Sequence, residues 1–207
     1  MSQSLSSPAI ATAPVVSFDD EPLILVDSED RVIGHMPKVE AHQGDGHLHR
    51  AFSVFLFDER GHVLMQQRSA SKPLWPLIWS NSCCSHPRRG ETVDQAAERR
   101  IQEELGLTCS IGEELRFLYK FQYHARYRDV GSEHELCAVY VGRCQGQVQT
   151  NPTEVADWHF IAPDELEQRV AAHPERYSPW FKLEWARLRE SCWDEVREVA
   201  PGVAPLR

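Results

Sequence analysis

Two carboxylates two residues apart on a strand point to one face, and Glu133 and Glu135 have that spacing just ahead of the apolar run that starts at Leu136. Such a pair is a platform for a cation; buried without a cation or a shared proton, the two would repel. By itself the pair reads more readily as a solvated strand end. Other donors lie elsewhere in the chain. His42 and His49 bracket a polar, glycine-containing stretch, residues 43–48. Asn81-Ser82-Cys83-Cys84-Ser85-His86-Pro87 places thiols and an imidazole side by side. A lone loop histidine is usually solvated, and neutral imidazole becomes a ligand only in company. The Cys/His segment fits an acid–base or nucleophilic site, and it also fits inert buried thiols beside a hydrogen-bonded histidine. No second Cys or Cys/His pair stands at zinc-ribbon spacing, which argues against a structural zinc site. Arg68, Lys72 and Arg100 are cations of the kind that bind phosphate, Arg through its planar fork, although Arg100 could equally pair with Glu104 one helical turn on.

These residues need elements to hold them. Residues 23–26 and 31–34 flank Asp27-Ser28-Glu29-Asp30 and predict a hairpin. Residues 51–57 and 63–68 flank Asp58-Glu59-Arg60-Gly61 and predict a second. A helix is expected over residues 93–105, with Ala96, Ala97, Ile101 and Leu105 at helical spacing. Thr92 and Gln95 form a capping box at its start, and Gly106 a left-handed stop at its end. Strands are expected over residues 115–123 and 136–144, the latter continuing from Glu133-His134-Glu135 across a polar connection at residues 126–132. Helical patterns follow over residues 163–170 and 180–199, separated by Pro174 and Pro179. Strands and helices interleave without repeats, so the expectation is one α/β domain over residues 21–207. A disordered tail, residues 1–20, would precede it.

The chain has 207 residues, 42% of them hydrophobic and 26% charged, enough to build a sizeable core. A net charge of −9 disfavours nucleic acid and anionic membrane as partners, while leaving room for an anionic small molecule gathered by local cations. The first twenty residues lack the charged start and apolar centre of a secretory signal, and no apolar run reaches the roughly 20 residues that span a bilayer. A soluble cytoplasmic protein is expected, monomeric or weakly dimeric. The six cysteines are then read as reduced thiols.

In chain order the segments resemble one family, the type I isopentenyl-diphosphate isomerases, which use the Nudix fold. The resemblance runs from about Leu23 to about Trp185. It rests on residues 42–49 with Arg50-Ala51-Phe52-Ser53, on Trp75-Pro76, on residues 79–87, on Glu133-His134-Glu135 and on Ser178-Pro179-Trp180. A weakened Nudix signature appears as Ser85, Glu91, Arg99, Arg100, Ile101, Glu103, Glu104, Gly106 and Leu107, with Ser85 in place of a glycine and Arg100 in place of an acid. The resemblance implies a mixed sheet sandwiched by helices. It implies a Mn²⁺, Mg²⁺ or Zn²⁺ ion held by His42, His49, His86, Glu133 and Glu135, with Cys84 counted among the metal residues. It implies a second ion, Mg²⁺, that enters with the substrate diphosphate near Glu104, and cationic contacts from Lys38, Arg68, Lys72 and Arg100.

Moving the double bond of isopentenyl diphosphate requires a proton given to an unactivated alkene and another removed, through a tertiary carbocation. That ion needs an acid, an opposed base, exclusion of water and no nucleophile placed to trap it. By resemblance Glu135, helped by Tyr123, and Cys84 form the acid–base pair, and Trp180 offers a π face worth roughly 0.5–2 kcal/mol to a cation. Trp75, Trp79 and Trp180 could also be plain walls, and without the family pattern Cys83 and Cys84 are indistinguishable. A Nudix hydrolase and an idle Nudix-like binding domain are the competing readings. Arg100 and the thiol oppose the first, and the assembled donors oppose the second.

Overall fold

The computed structural model describes residues 13–206. Its first hairpin forms where the turn chemistry predicts: β1 (Pro22–Val26) and β2 (Val32–Pro37) pair antiparallel. Between them Asp27 accepts backbone hydrogen bonds from Glu29 and Arg31, while Asp30 takes φ 64°. A single turn, α1 (Lys38–Ala41), then delivers His42.

Next come β3 (His49–Phe57) and β4 (Val63–Arg68). The second hairpin is a corner rather than a ladder, because β3 and β4 share only the Phe57–Val63 pair before diverging. The reason is burial. Every β3 residue except Arg50 is buried, as in a strand covered on both faces, and its backbone is claimed by neighbours that complete the sheet. One is β6 (Cys83–Ser85), antiparallel, which follows the two-residue β5 (Trp79–Ser80) on β4. The other is β8 (Gly131–Arg143), parallel to β3 along its whole length, and β8 pairs in turn with β7 (Leu115–Tyr127). Both long strands run further than expected, so the polar connection shrinks to a turn around Arg128, which takes φ 51°. A strand with no sequence expectation, β9 (Val155–Ile161), covers β4.

The helix over residues 93–105, α2 (Val93–Leu105), has both predicted ends: Thr92 and Gln95 cap it reciprocally, and Gly106 takes φ 68°. It packs Ala97, Ile101 and Leu105 onto one face of the sheet, against Phe52, Val54 and Leu56. The opposite face is covered by the C-terminal helices, α3 (Pro163–Ala172), α4 (Pro179–Ser191) and α5 (Trp193–Val199). The single helical pattern expected over residues 180–199 breaks at Cys192, whose φ of −129° is not helical. Phe181, Trp185, Leu188 and Val196 meet Phe55, Phe57 and Val139 there. This is the mixed sheet between helices that the resemblance implied.

Residues 1–12 of the expected tail lie outside the described residues. Residues 13–20 carry neither helix nor strand but lie against the domain. The Pro14 carbonyl accepts from Asn151, the Val16 carbonyl from Arg88 and Arg100, and the Ser17 hydroxyl from Lys38. Backbone acceptors facing buried cations hold a segment that its composition alone would leave loose. Among the described residues no helix is long and apolar enough to cross a membrane.

One close approach joins fold to site. The His42 carbonyl accepts from Ser132 N–H at 2.9 Å and lies directly over Gly131, where a Cβ would overlap the carbonyl oxygen. Gly131→Ala is therefore expected to cost about 1–3 kcal/mol through overpacking. Urea denaturation with an unchanged m-value would show this, and wild-type stability would refute it.

Candidate active site

Sheet register brings the scattered donors together. On β3 and β8, parallel partners, His49 stands opposite Glu135; on β7, antiparallel to β8, Tyr123 stands opposite the same Glu135. Cys84 is the β6 partner of Ser53, and the chain leaves β6 at His86. Three imidazoles and two carboxylates thus converge, with one ligand atom from each of His42, His49, His86, Glu133 and Glu135 lying within 4.8 Å of all the others.

Each imidazole is aimed. His42 Nδ1–H donates to the Lys38 carbonyl at 2.6 Å and His49 Nδ1–H to the His47 carbonyl at 2.7 Å, which turns both Nε2 atoms inward. His42 Nε2 then lies 2.8 Å from Glu133 Oε2, and His86 Nε2 lies 2.9 Å from Glu135 Oε1. His49 Nε2, buried, has no hydrogen-bond partner among the described residues, and Glu133 Oε2 has a donor only when His42 is protonated. Orphaned lone pairs converging on one point are what a cation would satisfy, so the donor set fits a metal ion.

The charges agree. Burial opposes protonation of His42, but Glu133 outweighs it and raises the imidazole to about 8, so a proton holds the place of positive charge. Burial, with His49 and His42 nearby, pushes His86 well down. Burial would raise both carboxyls, yet His42 keeps Glu133 low, and His49 with the Tyr123 hydroxyl keeps Glu135 low. Tyr123 donates to Glu135 Oε2 at 2.6 Å, and burial plus Glu135 raise the phenol far above its usual range.

Four of the five, His42, His86, Glu133 and Glu135, line a cleft of about 710 Å³ together with Lys38, Arg68, Lys72, Cys84, Tyr123 and Trp180, and His49 is buried behind them. Arg68 is held by the Trp75 and Leu74 carbonyls at 3.1 and 3.0 Å, and the loop that offers them bends through φ 47° at Trp75 and 60° at Leu77. Strain of that kind in non-glycine residues marks a loop shaped for its contact. The Arg68 guanidinium lies 5.2 Å from the Trp180 ring centroid and points Nη1 toward the Cys84 sulfur at 3.9 Å. Burial raises the Cys84 thiol to about 12 against the pull of Arg68. Lys38 is lowered to about 8 by burial and by its neighbours Lys72 and Arg100.

Two expected residues, Arg100 and Glu104, are not among the residues that line the cleft, and a third, Cys84, lines it outside the His/Glu group. Arg100 is 2% exposed, with its donors spent on Glu104 at 2.7 and 3.0 Å, Glu154 at 2.8 Å, Glu103 at 3.1 Å and the Val16 carbonyl at 2.9 Å. Glu104 is buried beside it and also accepts from Gln66 at 3.3 Å, apart from the His/Glu group. Cys84 lines the cleft but stands outside that group as well. Two residues had no expectation. Glu154 bonds both Lys72 and Arg100 at the cationic end of the cleft, and nothing in its local sequence marks it. Glu184 lies fully buried on α4, and its signal is an acid in the stripe formed by Trp180, Phe181, Trp185 and Leu188.

The NUDIX domain family model matches residues 47–181, the span that holds every strand from β3 to β9 and, of the ligand group, all but His42. The chain is 45% identical over 176 residues to isopentenyl-diphosphate Delta-isomerase 1 of Photorhabdus laumondii, covering 85% of this chain and 99% of that one. It is 43% identical to the isopentenyl-diphosphate Delta-isomerase of Nocardia farcinica, covering 83% and 98%. A solved structure from Deinococcus radiodurans superposes with a TM-score of 0.58 at 25% identity, over 73% of this chain and 90% of that one. A relationship of this depth along nearly the whole of its relatives places the chain in the Nudix family, among the isopentenyl-diphosphate Delta-isomerases.

Proposed function

We propose that the chain converts isopentenyl diphosphate to dimethylallyl diphosphate by adding a proton to the alkene and removing another from the tertiary carbocation. The observation that carries this reading is the meeting, in one cleft, of a His/Glu ligand group, a protonated thiol and a cationic end. Lys38, Arg68 and Lys72 gather the diphosphate. Arg100 acts from behind, orienting Glu154 and Glu104, and a Mg²⁺ ion entering with the diphosphate would draw on Glu104.

The acid–base pair is Cys84 and Glu135. Cys84 serves as the partner of Glu135 across the substrate, and while burial keeps its thiol protonated it is a weak nucleophile toward the cation. Glu135, ionised and bonded by Tyr123, can exchange a proton with the other end of the allylic system. Trp180, its ring edge-on to Trp75 at 5.3 Å between centroids, walls the apolar end of the cleft and presents π density to the cation. A divalent ion held by His42, His49, His86, Glu133 and Glu135 would supply the positive charge that fixes Glu135 and makes a proton on it more acidic. Three imidazoles and two carboxylates suit Mn²⁺, and Zn²⁺ is admitted by affinity order.

NMR in D₂O with isopentenyl diphosphate and Mg²⁺ or Mn²⁺ is expected to show dimethylallyl diphosphate carrying deuterium, with no phosphate released and no turnover after chelation. Phosphate release would mean a hydrolase, and bound but unchanged substrate an idle domain. Cys84→Ala is expected to lower kcat about 10²–10⁴-fold, the usual contribution of a positioned acid or base, with substrate binding largely kept. A Cys84→Ala enzyme at full rate would remove the thiol from the mechanism.

A further inference from the structure

The reaction as proposed makes no use of Glu184, yet the residue is conspicuous. It lies on α4 at 1% exposure, and its Oε2 has no hydrogen-bond partner among the described residues. Its Oε1 meets the Cys137 thiol at 3.6 Å, and the Ser53 hydroxyl faces the same carboxyl. One turn earlier on the same helix Trp180, 2% exposed, carries an indole N–H that is likewise without a partner. A helical side chain leans toward the N-terminal turn, so the carboxyl at position 184 lies over the turn that carries residue 180. An acceptor and a donor, both buried, therefore fall on one strip of one helix. Such atoms are ordinarily satisfied, and a neighbouring pair of them suits one ordered water.

We propose that Glu184 is a positioning residue for Trp180, joined to it by one buried water that accepts the indole N–H and bonds Glu184 Oε2. The bridge fixes the ring whose face meets the cationic intermediate, so the functional part of the proposal rests on the reading of Trp180 given above. Arg68, lying over that ring, and Trp75, edge-on to it, restrain the indole from the cleft side, and Glu184 restrains it from within the core.

Burial raises Glu184 to about 8, with Glu135 adding to the rise and Ser53 and Cys137 opposing it, so the residue is a neutral acid at pH 7. The groups that face it are Ser53 on β3, Cys84 on β6, Tyr119 on β7 and Glu135 with Cys137 on β8. Arg187 and Cys192 lie beyond Tyr119. Cys84 at about 12, Cys137 and Tyr119 above their usual ranges and Glu135 below its own leave Glu184 as the group among them that titrates near 8. Below that pH the bridge ends on an acid, above it on a carboxylate, and the indole N–H should sense the change.

The test is ¹⁵N indole NMR of the Mg²⁺-loaded full chain, with the Trp180 resonance assigned by its loss in Trp180→Phe. In the native protein that resonance is expected to titrate with a midpoint near 8. In Glu184→Gln, which keeps an acceptor oxygen but cannot ionise, it should stay flat while activity stays within about threefold of native. Glu184→Leu, which removes the acceptor, should lower kcat about tenfold with KM changed less than about threefold, the pattern of an interaction that matters in the transition state. A Trp180 resonance that ignores pH, one that titrates equally in Glu184→Gln, or a fully active Glu184→Leu would each overturn the proposal. A native protein that fails to isomerise isopentenyl diphosphate would instead end the functional reading and leave the resonance to decide the bridge.

Discussion

Glu133 and Glu135 stand on one face of β8, nearly sealed from water, and two anions so placed repel each other unless positive charge or a proton comes between them. The fold meets this constraint from three directions. α1 ends at His42, β3 begins at His49 and β6 runs out at His86, and all three imidazoles close on the carboxylates, with ring centroids 4.8–5.4 Å apart. One of the three, His42, is raised by Glu133, and burial pushes His86 down toward its neutral form. With backbone carbonyls fixing their tautomers, His42 and His49 present Nε2 toward the point where a cation fits.

The register of the central strands follows from the same requirement. A slip of one residue between β3 and β8 would move Glu135 from its place opposite His49 and turn it toward α2, into an apolar layer of Phe52, Val54 and Ala138. Hydrophobic burial on both faces of β3 therefore does more than stabilise the sheet. It sets which side chains point into the cleft, and Cys84 arrives there because its partner Ser53 lies on that face. The segment at residues 14–17 completes the enclosure, since its carbonyls and hydroxyl meet Arg88, Arg100, Lys38 and Asn151 at the cationic end.

Local physics was legible in the sequence where it acts alone. The ends of α2 could be read from Thr92, Gln95 and Gly106, because capping is decided within four residues. The shared face of Glu133 and Glu135 could be read from the period of a strand. That His42, His49 and His86 join them could not be read from spacing, since strand pairing brings them together across about ninety residues, and only the family resemblance linked them. The second hairpin misled for a related reason: turn residues at positions 58–61 reverse the chain, but partners distant in sequence won the ladder. Helical spacing offers Glu104 as the partner of Arg100, and the structure has that pair; the resemblance added a phosphate contact, and it is Glu154, distant in sequence, that completes the claim on the guanidinium.

That last point bears on why this Nudix domain suits isomerisation better than hydrolysis. The acids of its helix motif are occupied by arginines from the same helix: Arg99 holds Glu91 and Glu103, and Arg100 holds Glu103 and Glu104 and reaches Glu154. Where a hydrolase would gather magnesium on these carboxylates, this chain neutralises most of that charge internally. Its convergent ligand group lies instead at β3, β6 and β8, beside the thiol and the aromatic wall. In the function proposed above, positive charge at one end of the cleft grips the diphosphate and the chemistry falls to the end that holds a protonated sulfur and an ionised carboxylate. Cleaving a diphosphate needs an activated water at phosphorus, whereas shifting an alkene needs two opposed proton carriers and a dry, cation-tolerant wall. The second set of parts is the one this cleft assembles.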